Sequence, residues 1–249
     1  MSKIDITAIV NLHDEGTMAL ASFISVARAK THAERHGLRV EVVAVLDRPS
    51  AETLDFVESV TVVDFFPVRV SYGDLGRARN AAVKIARGEW ISFLDGDDLW
   101  AENWLTAAHM AATNDLRSIV WHPLALLIFG SQCHLFIHVD MEDVDFDLLG
   151  LSVSNLWASQ SFAKRELYLS VPYPRTDLER QLGYEDWGWN IETISRGNIH
   201  KTVSDTVNAY RKKKSSLLQQ TTAKKAMPQP TSLFRDVILA KSRRQTGSN

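Results

Sequence analysis

Trp90-Ile91-Ser92-Phe93-Leu94-Asp95-Gly96-Asp97-Asp98 reads as a short buried strand that empties into three carboxylates. Like charges this close repel, so a fold keeps such a cluster where something cationic joins it. Carboxylates at a strand end suit a hard divalent cation, Mg2+ or Mn2+, carrying a phosphorylated substrate. In open α/β sheets, ligands bind outside the carboxyl ends of the strands. The competing reading is a solvated Asp-Gly turn.

Outward from this strand, the first hundred residues alternate. Ile4 to Leu12 is an apolar strand pattern, and Gly16 to His36 has helical spacing that stops at Gly37. Val40 to Leu46 is β-branched and ends at Asp47-Arg48-Pro49-Ser50. Ala51 to Ser59 reads as a short helix, Val60 to Phe65 as a third strand, Asp74 to Arg87 as a helix and Glu89 to Leu94 as the fourth strand. That order predicts a parallel sheet with right-handed crossovers. Asn103 to Thr113 reads as helix, as do Phe162 to Leu169 and Tyr184 to Arg196, with a last strand over Ile199 to Val203. Ile119 to Val139 is interrupted by His122, Gln132, His134 and His138. It falls short of the roughly 20 apolar residues of a membrane span and reads as two buried strands around Gly130-Ser131-Gln132.

The 249 residues, 45% hydrophobic, are those of an ordinary globular chain with a sizeable core. A single cysteine, Cys133, rules out an internal disulfide and a Cys-based zinc site, which fits a reducing cytoplasm. Met1-Ser2-Lys3-Ile4-Asp5 lacks the apolar core of a signal peptide. The net charge of -2 hides an asymmetry: from Arg211 onward ten Lys or Arg face one acid, Asp236, giving +9, and the rest carries 18 basic against 29 acidic residues, giving -11. A basic tail on an acidic body suggests an anionic partner. After about Leu218 the composition predicts a linker, with a short amphipathic helix over Ser232 to Arg244.

Polar clusters fall where the alternation puts loops: Asn11-Leu12-His13-Asp14-Glu15-Gly16 after strand one, Asp47 after strand two, Gly73-Asp74-Leu75-Gly76-Arg77-Ala78-Arg79-Asn80 before the helix that precedes strand four, then the aspartates. Farther on, Gly183-Tyr184-Glu185-Asp186-Trp187-Gly188-Trp189 sets two carboxylates among aromatics at a helix start. In Ala78-Arg79-Asn80, in the stretch from Gly88 to Asp98 and in the spacing to Glu185-Asp186, the chain resembles the family 2 glycosyltransferases, over roughly residues 4 to 217.

The resemblance implies an α/β chain of GT-A fold. A Rossmann-like, mostly parallel sheet is flanked by helices, with a smaller mixed acceptor-side part. Residues 1–218 would form the glycosyltransferase domain, nucleotide-binding up to about 100 and acceptor-binding from 101, and 219–249 the basic linker and helix. It implies an inverting, hexosyltransferase-type enzyme moving a sugar from a nucleotide donor, a UDP-sugar first, to a saccharide or lipid-linked saccharide. Asp95 would lie by the ribose and share with Asp97 the Mn2+ or Mg2+ that bridges the diphosphate, a Lewis acid on a poor leaving group. Asn11, Glu15, Asp47 and Arg79 would line the nucleotide. Asp186, with Glu185 next in line, would be the general base of a single displacement. Trp187 and Trp189 would stack on sugar, and Arg211 and Lys213 would contact phosphate. Structural alternatives stand beside several of these: Arg79 paired with an aspartate of the cluster, His13 and Asn80 bracing loops, Asp98 capping the next helix, and either Trp in the core.

Two residues depart from the family pattern. One acid, Asp47, stands where Asp-Asp-Gly-Ser is usual, and Lys213 aligns with a metal-binding His in Tyr210-Arg211-Lys212-Lys213-Lys214-Ser215-Ser216-Leu217. A protonated Lys cannot ligate a metal but can neutralise a diphosphate. Two other classes fit less well. A sugar nucleotidyltransferase would need a Gly-rich loop near the N-terminus, and an inactive binding module of a larger assembly would not need Asp95, Asp97 and Asp186 together. By analogy with the family, the chain would serve bacterial surface polysaccharide such as lipopolysaccharide O-antigen or capsule, in the cytoplasm, with no nucleic-acid partner. Its tail would hold it to the inner face of the membrane through Leu233, Phe234, Val237, Ile238 and Leu239, followed by Lys241, Arg243 and Arg244.

Overall fold

The computed structural model describes residues 3–213 and 217–236. Strand β1 (Ile6–Leu12) is buried at all seven positions, as expected of a strand covered on both faces. It pairs in parallel with β2 (Val40–Asp47) on one side and β4 (Trp90–Asp95) on the other, and β3 (Phe66–Val70) extends the sheet beyond β2. Alternation divides the core in two. Ile6, Ala8, Val10 and Leu12 pack with Phe23, Val26 and Ala29 of α1 (Ala19–Arg35) and with Trp104 and Leu105 of α4 (Trp104–Asn114). Ile9, Val43, Val45, Ile91 and Phe93 face Ala78, Ala82 and Val83 of α3 (Leu75–Ile85). Each such Val, Leu, Ile or Phe contributes ~1.5–3 kcal/mol by leaving water. Helix α2 (Ala51–Ser59) starts at Ser50, whose side chain accepts the Thr53 N–H, and α3 starts at Asp74, which accepts the Arg77 N–H.

The second half adds antiparallel pairing. β5 (Ile119–Gly130) is flanked by β6 (His134–Ile137) and, at Trp121–Phe162, by β7 (Phe162–Lys164), which in turn runs antiparallel to β4. β8 (Ile199–Lys212) lies parallel along the length of β5. The sheet has eight strands in the order β3-β2-β1-β4-β7-β5-β6, with β8 on β5. α5 (Arg165–Ser170) and α6 (Glu185–Ser195) close one side. A third core joins Leu151, Trp157, Ile191, Ile194 and Leu233.

Five expectations are corrected. Val60 to Phe65 is not a strand: Val60 ends α2, its N–H bonding to the Phe56 carbonyl, and the strand follows at Phe66. Pro67, lacking an N–H, is tolerated there because β3 is an edge strand. Phe162 to Leu169 splits into β7 and α5, since a short apolar run carries no decisive period. Of the two strands expected around Gly130, β6 is not buried. It sits at the sheet edge with Leu135 and Ile137 exposed. The last strand runs nine residues beyond Val203, to Lys212. The expected linker is held to the domain: α7 (Leu217–Ala223) is followed by Met227, whose N–H bonds to the Gln181 carbonyl, and Leu233 is buried. Leu233 and Phe234 therefore pack on the domain, not on a lipid surface, while residues 237–249, with the remainder of the proposed membrane helix, lie outside the described residues. Among the described residues, no helix is long and apolar enough to cross a membrane.

Candidate active site

The carboxyl ends of β1 and β4 set the site. Their register places Asn11 beside Asp95, and the Asn11 amide donates to Asp95 Oδ1 at 2.9 Å. Gly96 follows, where the chain passes so close to β1 that a Cβ would sit 2.5 Å from Leu12 Cδ2 and 2.8 Å from the Asn11 carbonyl oxygen. Glycine is the residue that fits, and its N–H bonds to that carbonyl at 2.8 Å.

Arg79 crosses beneath. It is fully buried, with Nη2 2.9 Å from Asp95 Oδ1 and Nη1 2.9 Å from Glu185 Oε1, and Tyr173 lies against the guanidinium. The structural alternative holds: Arg79 binds two carboxylates of the protein, and a direct phosphate contact is corrected. A helix buried on the sheet carries Arg79 inward, where only charge pairing allows a guanidinium to remain. Burial pushes the Asp95 carboxyl up, but Arg79, the Asn11 amide and the Ser159 hydroxyl together hold it below its ordinary value. Burial and the neighbouring Asp186 raise Glu185 to about 7 against the pull of Arg79.

Asp97 and Lys213 form the second pair, Nζ to Oδ2 at 2.7 Å, with Glu15 Oε1 at 3.9 Å from the same ammonium. Glu15 accepts the backbone N–H groups of His13 and Asp14, and burial raises its carboxyl. Asp98 is not the cap of α4; Asn103 stands at that position. Asp98 is wholly buried, accepting the Arg211 N–H at 2.8 Å and the Gln160 amide at 3.2 Å. Burial, with Asp95 and Asp97 beside it, raises its carboxyl well above the ordinary range. Arg211 Nε donates to the Asp97 carbonyl and its guanidinium lies 4.4 Å from the Phe129 ring centre.

On the other side of Arg79, α6 begins at Glu185-Asp186 after Tyr184, which adopts a positive φ of 54°. Asp186 Oδ1 accepts the Trp187 N–H at 2.8 Å, and Oδ2 accepts the Asn155 amide at 3.2 Å. Asn190, one turn on, donates to Asn155 Oδ1 and so fixes that amide. Burial raises the Asp186 carboxyl, against the pull of Arg79. Trp189 does not serve as expected, while Trp187 is half-buried. Trp189 is 1% exposed, stacked on Tyr168 and Tyr173, with its N–H on the Val171 carbonyl. A sugar cannot reach a ring in that stack. Trp187 donates to the Leu151 carbonyl and packs on the third core.

Asp47 lies at the end of β2, as expected, but both oxygens are engaged by the N–H groups of Tyr72, Gly73 and Asp74, which hold the loop before α3. His13 braces the same corner, its Nδ1 2.6 Å from the Asp47 carbonyl, and Asn80 braces Tyr173 through two hydrogen bonds. Asn155, Ser159 and Gln160 are partners that sequence reasoning missed. They lie in an irregular stretch whose only signal is a run of polar residues among apolar ones.

A divalent ion meets a poor fit. Among the described residues, no group of three or more His, Cys, Asp or Glu could hold a metal ion. Asp95 and Asp98 are taken, so Asp97 is the carboxylate the aspartate run could offer, and it holds an ammonium.

Comparison with known proteins bears on the fold. Residues 7–124 match the profile of Glycosyl transferase family 2. No curated protein matches the chain. Among solved structures, Staphylococcus aureus TarS 1-349 in complex with UDP-GlcNAc superposes with a TM-score of 0.67 at 18% identity, over 87% of this chain and 61% of that one. Its UDP complex gives 0.66 at 17%, over 96% and 70%. The mannosyltransferase PcManGT from Pyrobaculum calidifontis, in complex with GDP-Man and Mn2+, gives 0.61 at 18%, over 90% and 64%. The chain thus spans about three fifths of the length of the first of these structures.

Proposed function

We propose that this chain, of GT-A-like fold, is a family 2 glycosyltransferase that moves a sugar from a nucleoside diphosphate donor to a hydroxyl of a saccharide or lipid-linked saccharide, inverting the anomeric carbon. The observation that carries the reading is the pair of carboxylate sites joined by one buried guanidinium: Asp95 on the sheet edge and Glu185-Asp186 at the start of α6. Asp95 is held ionised and faces the donor side, where Asn11 and Glu15 edge the nucleoside and Asp47 acts through the loop it holds. Asp186 is the general base. Its raised carboxyl suits proton abstraction near neutral pH better than an ordinary aspartate would.

The acceptor oxygen attacks the anomeric carbon as its proton passes to Asp186. The bond from that carbon to the phosphate oxygen breaks, and the electron pair leaves with the diphosphate. A single base is enough because no covalent intermediate forms. Mn2+ or Mg2+, if bound, would supply Lewis acidity to the leaving group with Asp97 as its ligand. Mg2+ commonly takes only one or two carboxylates beside substrate phosphates, yet here it would have to displace Lys213.

TarS with UDP-GlcNAc makes UDP-sugars the first donors to test, and PcManGT with GDP-Man the second. A role in bacterial surface polysaccharide, at the cytoplasmic face of a membrane, follows by analogy. Thermal denaturation with UDP, GDP and their monophosphates, with and without Mn2+, tests the reading. Ligand at a hundred times its Kd adds about 2.7 kcal/mol, so one diphosphate should raise Tm by roughly 5–10 °C at ~2–4 °C per kcal/mol. If diphosphates shift Tm no more than monophosphates do, the donor assignment fails.

A further inference from the structure

We propose that Lys213 is the cation of the donor site and that this chain binds its nucleoside diphosphate without a divalent metal. The inference rests on the glycosyltransferase reading of the same site. Asp97, with 9% of its side chain exposed, is paired at 2.7 Å with the ammonium of Lys213, whose side chain is one-third exposed. An ammonium has three protons. Asp97 takes one and Glu15 lies near a second at 3.9 Å, which leaves donor capacity for a phosphate oxygen.

The position is built and not incidental. Lys213 directly follows β8, and β8 is pinned to the acidic loop by the reciprocal Leu99–Ala209 backbone pair, by the Arg211 N–H on Asp98 and by Arg211 Nε on the Asp97 carbonyl. An amine paired with one carboxylate and near a second is charged at neutral pH. A divalent ion on Asp97 would sit beside this ammonium and repel it, so the two cations compete for one carboxylate. Asp95 cannot relieve that competition, because Arg79, Asn11 and Ser159 hold it.

Isothermal titration of UDP and GDP into the full chain, with EDTA and then with Mn2+, decides the matter. The expected result is a Kd in EDTA within about threefold of that in Mn2+, a difference well under 1.4 kcal/mol. Lys213→Ala should weaken binding in EDTA more than about tenfold, while Lys213→Arg keeps the charge and stays within about fivefold. Lys213→His should bind only with Mn2+. If Lys213→Ala does not fold, the EDTA comparison on the unaltered chain and on Lys213→Arg decides alone. Binding that EDTA abolishes, or chelated affinity unchanged in Lys213→Ala, overturns the inference and leaves the donor reading standing. Absence of binding by either nucleotide, with or without Mn2+, overturns the donor reading and the inference together.

Discussion

Arg79→Met removes the one charge that two buried carboxylates share. Methionine matches the length of the aliphatic stem, so the loss is chiefly electrostatic. Glu185 retains 8% side-chain exposure and Asp95 24%, so neither can be fully rescued by water. Removing one partner of a buried pair typically costs 3–5 kcal/mol, a large share of the 5–15 kcal/mol that holds a domain together. At about 2–4 °C per kcal/mol, Tm should fall by roughly 6–20 °C, read by calorimetry alongside urea unfolding. Adding Glu185→Gln removes one of the stranded charges and should recover part of the loss.

The deficit should also depend on pH. In the native chain the Asp95 carboxyl is depressed below its usual 3.8. Its contribution is therefore present above that value and lost as pH falls through the folded pKa. The gap between the two proteins should close at the acid end. A loss under about 1 kcal/mol at pH 7, or a gap that widens in acid, would refute the account of Arg79 as the keystone of the site.

Gly96→Ala should destabilise by about 1–3 kcal/mol, as overpacking does, because the new Cβ meets Leu12 and the Asn11 carbonyl; urea unfolding that shows no loss would mean the turn moves freely. Of three buried histidines, His122 stacks on Trp157 and on His200, His200 lies tilted against Trp157, and His138 lies tilted against His122; burial lowers all three, His138 to about 4 and His200 to about 3. Their folded values lie below the ordinary 6.5, so their contribution is complete above pH 6.5 and lost as pH falls from there toward 4 and 3. At 1.36 kcal/mol per unit, His138 alone accounts for about 3 kcal/mol by pH 4. Glu185, raised to about 7, works in the opposite sense, as do the raised carboxyls of Asp98, Asp186 and Glu15, so the histidine contribution is read against His138→Gln. The native chain should lose more unfolding free energy between pH 7 and 4.5 than that variant does, and an equal loss would contradict this.

The first hundred residues were legible because local signals and tertiary demands agree there. Strands buried on both faces read as continuous apolar runs, and Gly37 and Gly88 mark helix ends. The error at Val60 to Phe65 shows the limit: Val60, Val63 and Phe65 serve the core from an unpaired segment while Val62 is exposed, and pairing with β2 begins at Phe66. In the candidate site, Asp95, Asp97 and Asp186 were visible as residues, but their partners were not. Arg79 was expected on the ligand and is spent on two protein carboxylates. Trp189 was expected on a sugar and is stacked in the core, since an aromatic near an acid reads the same in either place. Asn155, Ser159 and Gln160 come from a stretch without periodicity, placed only by the packing of β7 and α6 around it.

The central claim is transfer from a nucleoside diphosphate sugar with Asp186 as base. The measurement that meets it most directly is nucleoside diphosphate release from a panel of UDP- and GDP-sugars, by the native chain and by Asp186→Asn. The account predicts release from at least one donor, slowed roughly 10²-fold or more in the variant, as loss of a general base slows a reaction, with nucleotide affinity retained. Release that is undiminished in Asp186→Asn, or absent for every donor in the native chain, would contradict it.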